Sequence, residues 1–527
     1  MNASGDGFSV LKWRIASALI LITGAFLRLY DLGLVPFHHD EGVNGNFLVS
    51  LVREGRYTYD PQNYHGPTLY YFSAVIPWIV RFFGGKAAGD AYGLTTFNVR
   101  LVTAAFGVAP IWLALLLRKR LGAIAALSAA GLIAISPGAV YLSRYFIHES
   151  LFVFFGLAIV VAALKYYDSG NSVYLILAAI SAALMTATKE TWIINGPVLL
   201  IALATTSVYF RLRGSVGERA KQMLERFGGP VSLTTVALVA FAVFIIVNVL
   251  FYSSFFTNYP KGVADALSTL RFWSHRTREH EHPWWQYAYW LLQEEGLVLV
   301  LGGLGTLLAV WRADNRLAVF LSLWSFGLLA GYSIIGHFQD GQLIGYKTPW
   351  ITLNFIVPLA LIGGYALDSA CQKLRKFEQP RLFIALAILI VASCGYQMIS
   401  LNFVHYDDDQ YVYVYAHTRR GLLSMLDEVD RIAKLLKTGN DTGVALVSPD
   451  YWPLPWYFRD YKRIGYYQQI VPTTEPIIIG SMAQAEQLKS TFGDRYQLVN
   501  SGLNEDGSYA LRPGVDLLLY VRKDVAR

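Results

Sequence analysis

Ile15-Ala16-Ser17-Ala18-Leu19-Ile20-Leu21-Ile22-Thr23-Gly24-Ala25-Phe26-Leu27-Arg28-Leu29 is a nearly uninterrupted apolar run, and Phe37-His38-His39-Asp40-Glu41-Gly42 follows it after a short linker. No small-residue cleavage site follows the run, so it reads as a retained first membrane span rather than a signal peptide. Lys12 and Arg14 before it hold the N-terminus on the cytoplasmic side. Ionisable groups at a membrane rim are costly and therefore functional candidates. A carboxylate there can serve as a general base, and an imidazole as a metal ligand or proton partner. The plainer reading is a polar loop in which Asp40 caps the following helix.

The rest of the chain has the same character. Of its 527 residues 54% are hydrophobic and only 15% charged, well below the roughly one quarter of a soluble domain. That excludes an ordinary soluble enzyme and indicates a polytopic membrane protein. The net charge of +7 is scattered and no nucleic-acid motif accompanies it, so it fits basic residues beside an anionic leaflet and excludes nucleic acid as a partner. Two cysteines, Cys371 and Cys394, give no disulfide framework.

Taking a span as roughly 17–25 apolar residues, the sequence predicts about eleven transmembrane helices. Pro67–Phe83 is short, aromatic and contains Pro77, which predicts a juxtamembrane helix rather than a crossing. With that assignment Arg118-Lys119-Arg120 is cytoplasmic, and Ser143–Glu149, Thr188-Lys189-Glu190, Ser253–Glu295 and Gly336–Lys347 lie outside. From about Leu401 charged and turn residues rise. A helical pattern over Thr418–Leu436 places Leu422, Leu423, Leu426, Ile432 and Leu435 on one side. Strands are predicted at Val444–Val447, Pro476–Ile479, Tyr496–Val499 and Leu517–Val521, with a helix around Met482–Thr491. The expected fold is an all-α polytopic membrane domain with juxtamembrane helices over residues 1–400, then an extracytoplasmic α/β domain over 401–527. No internal repeat, phosphate-binding glycine loop or nucleophile elbow is present.

This topology puts all ten histidines outside, with the carboxylates Asp40, Glu41, Glu149, Glu190, Glu279 and Glu281. Chemistry on a lipid-linked substrate needs a base for the acceptor and cations for a phosphate leaving group. Arg144 and Lys347 are the candidate phosphate-binding cations. Each feature has a plainer alternative: Arg144 and Glu149 merely paired, Trp350 an aromatic-belt anchor beside Lys347, and the Glu279-His280-Glu281-His282 run a solvated loop. Tyr451-Trp452-Pro453-Leu454-Pro455-Trp456-Tyr457 is either core packing or a substrate contact.

Read in order, the DE pair after the first span, His65-Gly66-Pro67 with Tyr70-Tyr71, Ser143-Arg144-Tyr145 with His148-Glu149, Thr188-Lys189-Glu190, His282-Pro283-Trp284-Trp285 and Tyr346-Lys347-Thr348-Pro349-Trp350 resemble one family. This is the C-type glycosyltransferases of the protein O-mannosyltransferase and aminoarabinose-transferase type. The resemblance covers roughly residues 10–400. Tyr451–Tyr457 brings it nearest the bacterial and archaeal branch named for flippase-associated N-glycosylation proteins. The resemblance implies a multi-pass enzyme of the cytoplasmic (inner) membrane that uses a polyprenyl-phosphate sugar at the outer face. Asp40 matches the catalytic aspartate and Glu41 its partner. His65 stands where relatives carry a metal-binding glutamate, and His275 matches a metal-binding histidine, so a divalent ion (zinc, magnesium or manganese) is expected there. Glu149 matches an acidic residue of the second external loop. Gly66 replaces a phosphate-contacting lysine, a departure that leaves this contact to Lys347 or Arg144.

The expected function is inverting transfer of the sugar to an acceptor hydroxyl on a protein, lipid or glycan. Two alternatives stay open: a non-catalytic flippase or transporter of lipid-linked sugar, and a structural subunit of a membrane complex. The sequence lacks the paired broken spans that mark many transporters.

Overall fold

A computed structural model describes residues 9–62, 65–214, 225, 227–273, 280–339 and 341–525. The chain forms two units, one of Met1–Leu32 with Leu51–Val404 and one of Gly33–Ser50 with His405–Arg527.

The first unit is helical. Its helices in chain order are α1 (Val10–Leu29), the end of α2 (His39–Glu54), α3 (Thr68–Gly93), α4 (Thr96–Leu116), α5 (Arg118–Leu121), α6 (Ala123–Ile135), α7 (Pro137–Ser143), α8 (Glu149–Ser169), α9 (Ser172–Thr186) and α10 (Trp192–Leu212). They continue as α11 (Gly229–Tyr252), α12 (Lys261–Trp273), α13 (Gln286–Arg312), α14 (Arg316–Ser333), α15 (Leu353–Lys376) and α16 (Pro380–Ile399). Among the described residues nine helices are long and apolar enough to cross a membrane, and the bent pair α6–α7 makes a tenth. Helix α9 is apolar but only 15 residues long, about 22 Å, and counting it brings the number to eleven.

Contacts between helix ends sort the unit into two faces. At one, the Arg118 guanidinium lies 4.4 Å from the ring centroid of Trp13, Arg120 pairs with Asp168, and Asn315 donates to the Arg120 carbonyl at 2.8 Å. Arg316 covers the ring of Phe210 there. At the other, Arg144 reaches the carbonyls of Tyr30 and Asp31, Arg100 reaches that of Leu32 at 3.0 Å, and Tyr252 donates to that of Thr186 at 2.8 Å. The chain thus leaves α1 and enters α4 on the same face, so α3 lies between two points on one face and does not cross.

Helix α15, with the turn from Pro349 that leads into it, is the hub: 94% of its most apolar stretch is buried, against 6% for α1 and for α11. Gly364 lets it approach α6, since a Cβ there would sit 2.3 Å from the Ala125 carbonyl oxygen; small residues permit such close helix contact in lipid. The outer helices expose Leu19, Phe26, Leu200, Phe241 and Leu389, which are matched to acyl chains rather than water.

The break between α6 and α7, bent by 58°, leaves backbone groups that hydrocarbon cannot satisfy. Two buried side chains meet them. Arg28 donates to the carbonyls of Ile133 at 2.9 Å and Ala134 at 3.1 Å. Glu295 accepts from the Ser136 hydroxyl at 2.8 Å and the Gly138 amide at 2.6 Å. Pro137 at the first position of α7 brings no N–H to satisfy. A small antiparallel sheet, β1 (Glu281–Pro283), β2 (His337–Gln339) and β3 (Gln342–Tyr346), in the order β1-β3-β2, ties two loops together.

The second unit is α/β. Its six-stranded sheet runs β5 (Ile464–Tyr466), β4 (Val444–Leu446), β6 (Ile477–Ser481), β9 (Val515–Arg522), β7 (Tyr496–Val499), with β8 (Tyr509–Arg512) paired to β9. Strand alternation sends Val444, Leu446, Ile477, Ile479, Leu517 and Leu519 to one face and Ala445, Ile478, Leu518 and Tyr520 to the other. Helix α17 (Gly421–Leu435) covers the first face with Leu422, Met425, Val429 and Ile432. After the short helix α18 (Leu454–Tyr457), α19 (Ala485–Phe492) covers the second with Leu488 and Phe492. The helical face of α17 is rotated from the expected one: Leu435 is 62% exposed and Leu423 borders solvent. The fold class read from the sequence, a polytopic helical domain with a C-terminal sheet-containing domain, is the one observed.

Candidate active site

In the second unit the DE pair opens α2. His38 precedes the first helical residue, and its Nδ1 accepts the Asp40 amide at 3.0 Å. The Glu41 carboxylate reaches back to accept the His38 amide at 3.0 Å. The arrangement is a reciprocal cap with histidine in the usual serine or threonine position. His38 Nε2 then carries the proton and donates to the Tyr415 carbonyl at 3.2 Å. Burial pushes the His38 pKa down, which keeps the ring neutral and Nδ1 an acceptor. Capping therefore falls to His38 and Glu41, not Asp40. Glu41 is fully buried, whereas the Asp40 side chain stays 22% exposed. Both carboxylates sit in the first turn of α2, where the helix dipole favours negative charge.

Next to them, Arg512 holds Asp450 and approaches His39 Nδ1 at 3.5 Å. Burial is the main cause that lowers the His39 pKa to about 4, so His39 is neutral through the physiological range.

The first unit gathers a separate cluster at the α1-exit face. His65 Nδ1 and Glu190 Oε2 are 2.9 Å apart. Glu149 and Lys189 form a buried ion pair. His148 donates from Nε2 to the Gly66 carbonyl at 3.0 Å, and its ring meets those of His65 and Tyr70 edge-on. Burial pulls the Glu190 pKa up, but His65 and Lys189 outweigh it and hold the carboxyl below its ordinary value. His148 is driven well below its ordinary value, by burial first and then by His65 and Lys189. The Gly66 amide bonds the Thr188 carbonyl at 3.0 Å, and a Cβ on Gly66 would lie 2.2 Å from the Ala187 oxygen. No lysine fits there, which explains the sequence departure. Tyr70 faces this cluster, and its neighbour Tyr71 lines an open groove of about 580 Å³ with Arg53, Trp78, Arg81 and Phe255, the size of a ligand cleft.

Lys347 follows β3, whose pairing with β1 brings the Lys347 amide to the His280 carbonyl at 3.1 Å. Its ammonium donates to the Ser333 carbonyl at 3.2 Å and lies 5.6 Å from the Tyr287 ring centroid. Burial lowers its pKa to about 8. Arg144 sits elsewhere: it donates to the carbonyls of Leu27 at 3.1 Å, Tyr30 at 2.6 Å and Asp31 at 2.8 Å, with the Phe403 ring under its guanidinium. It caps the C-terminus of α1, and it is not paired with Glu149, which has Lys189.

Thus His65, Glu149, Glu190 and Lys189 come together, Asp40 and Glu41 share one helical turn, and Arg144 serves α1. His275 lies outside the described residues. Among the described residues no three histidine, cysteine or acidic side chains converge so as to hold a metal ion, and His65 directs Nδ1 to Glu190. The described residues do not make a metal site. The sequence did not single out Arg28, Arg100 and Glu295. Their signal was available, since each is a charge inside or at the edge of an apolar run.

The family model for dolichyl-phosphate-mannose-protein mannosyltransferases matches residues 74–216. ArnT from Cupriavidus metallidurans, solved with undecaprenyl phosphate, superposes with a TM-score of 0.60 at 14% identity over 97% of this chain and 98% of that one. The Archaeoglobus fulgidus oligosaccharyltransferase, tethered to an acceptor peptide, gives 0.55 at 16% identity over 87% of this chain. This chain spans 64% of that relative's length. The same archaeal protein has been solved with zinc and sulfate, at a TM-score of 0.50 and 14% identity over 89% of this chain and 68% of that one. No curated protein matches in sequence. The resemblance read from the motifs is borne out: these neighbours are C-type glycosyltransferases, and the chain has their fold.

Proposed function

We propose that this chain, folded as a C-type glycosyltransferase, moves a sugar from a polyprenyl-phosphate donor to an acceptor hydroxyl with inversion, at the membrane face where α1 ends. The reading is supported by the fold, by the family match over residues 74–216, and by the undecaprenyl phosphate bound to the Cupriavidus neighbour. The observation that carries it is the division of labour at α2: Glu41 is buried as a cap, and Asp40 keeps an accessible carboxylate.

In the proposed reaction Asp40 takes the acceptor proton as the acceptor oxygen attacks the anomeric carbon. That bond forms as the bond from the anomeric carbon to the phosphate oxygen breaks, and the electron pair leaves on polyprenyl phosphate. Lys347 stabilises the departing anion. In the first unit, His65, Glu149, Lys189 and Glu190 lie at the membrane face where α1 ends. The face rich in Arg118, Arg120, Arg213 and Arg316 is the cytoplasmic one, with the C-terminal unit outside, in the cytoplasmic membrane of the cell. The Archaeoglobus neighbour's zinc motivates metal analysis here: stoichiometric metal in the purified protein that disappears in both His65→Ala and His275→Ala would support an ion at these two residues.

The test of function is release of polyprenyl phosphate from a labelled lipid-linked sugar. Asp40→Asn is expected to cut turnover about 10²–10⁴-fold while the protein still inserts and folds. Retention of more than about a tenth of the activity removes Asp40 from the mechanism. Movement of donor across vesicles without any cleavage supports the flippase alternative.

A further inference from the structure

Each of the three residues before Asp40 is held by a residue from the C-terminal part of the second unit. Phe37 stacks on Trp456 with centroids 4.4 Å apart and planes at 12°, and its amide donates to the Tyr457 hydroxyl at 2.9 Å. His38 donates to the Tyr415 carbonyl, and His39 is approached by Arg512. The first turns of α2 are equally confined. A Cβ on Gly42 would come within 2.7 Å of Pro453 Cβ, and one on Gly45 within 2.7 Å of Trp456 Cε3. Phe37 and Trp456 are both buried, so the stack is part of the unit's interior and not a surface contact. A buried amide such as that of Phe37 needs an acceptor, and a tyrosine hydroxyl meets it in a segment with no ladder partner. Of the two readings of Tyr451–Tyr457, core packing and substrate contact, Leu454 and Trp456 take the first, and Trp456 and Tyr457 spend it on the segment that leads into Asp40.

We propose that the C-terminal unit is the frame that aims the Asp40 carboxylate, with Trp456, Tyr457, Pro453 and Tyr415 as positioning residues acting through Phe37, His38, Gly42 and Gly45. The inference rests on Asp40 being the base. A carboxylate on a mobile loop cannot hold an acceptor hydroxyl in line, and a misplacement of about 1 Å costs roughly 10²-fold in rate. The frame fixes the backbone immediately before Asp40 and one face of the helix just after it. The frame thereby sets where the first turn of α2 carries the Asp40 side chain.

The experiment uses the full-length protein in nanodiscs with labelled lipid-linked sugar donor. Gly45→Ala improves helix propensity but collides with Trp456, and Tyr457→Phe removes one hydroxyl and nothing else. Both are expected to lower kcat roughly ten- to a hundredfold, with donor KM within about twofold and the protein still fully folded at the assay temperature, outcomes that a purely structural role does not combine. Trp456→Phe, which opens space at the same point, is expected to restore most of the kcat lost in Gly45→Ala. Wild-type kcat in both variants while Asp40→Asn is inactive overturns the frame and leaves the base assignment standing. Activity in Asp40→Asn overturns the base assignment itself. A fall in kcat that tracks a fall in melting temperature, with no rescue by Trp456→Phe, also overturns the frame.

Discussion

Replacing Arg144 separates two roles for a cation at the α1-exit face. The sequence suggests a phosphate ligand, whereas the structure has its guanidinium on the carbonyls of Leu27, Tyr30 and Asp31 at 3.1, 2.6 and 2.8 Å. These are the last acceptors of α1 and its exit, which the helix itself cannot satisfy. Burial and the neighbouring Arg100 bring the Arg144 pKa down only to about 10, so the group is a cation at neutral pH and its hydrogen bonds are charge-assisted. Such bonds contribute about 1.5–3 kcal/mol each. Three of them, sharing one rigid fork and partly replaceable by water at the rim, give an expected loss of about 3–5 kcal/mol in Arg144→Ala. Arg144→Lys, whose ammonium cannot span three acceptors in a plane, should recover about a third of that. The assay is equilibrium denaturation in detergent micelles beside steady-state donor kinetics. An unchanged unfolding midpoint with a tenfold rise in donor KM would refute the capping argument and return Arg144 to the phosphate.

Three further outcomes are expected. Because the Lys347 ammonium is present below a pKa of about 8 and lost above it, kcat/KM for donor should fall as pH rises through that value, and Lys347→Arg should flatten the decline; a flat profile to pH 9.5 with wild-type protein removes Lys347 from phosphate binding. Glu149→Gln leaves the buried Lys189 ammonium without its partner and should destabilise the protein by about 3–5 kcal/mol, with most of the loss recovered in Glu149→Gln/Lys189→Met; equal stability of the wild-type and single-variant proteins contradicts this. In intact cells a cysteine at Arg118 should resist an impermeant maleimide until the membrane is opened, against a low background because Cys371 and Cys394 are buried; labelling from outside reverses the proposed orientation.

The membrane made much of the fold legible. Hydrocarbon admits only closed hydrogen-bonding elements, so apolar run length alone located α1, α4, α8, α10, α11 and α13–α16. Pro77 and the aromatic composition of Pro67–Phe83 marked α3 as a helix that stays on one face. What escaped was pairing across long sequence separation. Nothing local says that Gly33–Ser50 clusters with His405–Arg527, that Glu295 caps α7, or that Arg28 caps α6. The short edge strand β5 and the bulged β8 lack the apolar runs that revealed β4, β6 and β9. On α17 the expected side included Leu423 and Leu435, and contact with the sheet chose Met425 and Val429 instead. At the site, the spacing of Asp40 and Glu41 was visible, but the sequence did not say which would cap the helix. Burial decided it.

The fates of Arg100, Arg144, Lys189 and Lys347 narrow the chemistry. The sequence offered Arg144 and Lys347 as phosphate ligands, with Lys189 on the same face among carboxylates. Arg100 and Arg144 reach backbone carbonyls near the end of α1, as a helix terminating at a membrane rim demands. Lys189 has a buried carboxylate partner, and removing it to meet a phosphate would strand Glu149. Lys347 differs from all of these. Its ammonium carries three donors, and the Ser333 carbonyl takes one at 3.2 Å, with the Tyr287 ring at 5.6 Å as its other neighbour. Its lowered pKa has burial as its cause, so the charge is held in a poorly solvated place, and among the described residues no carboxylate pairs with it. An arriving phosphate monoanion or dianion relieves that penalty, and the relief grows as negative charge collects on the leaving oxygen. That is the sign required of a group that stabilises a transition state more than a ground state, and it makes Lys347 the cation to which the phosphate of the proposed donor is best assigned.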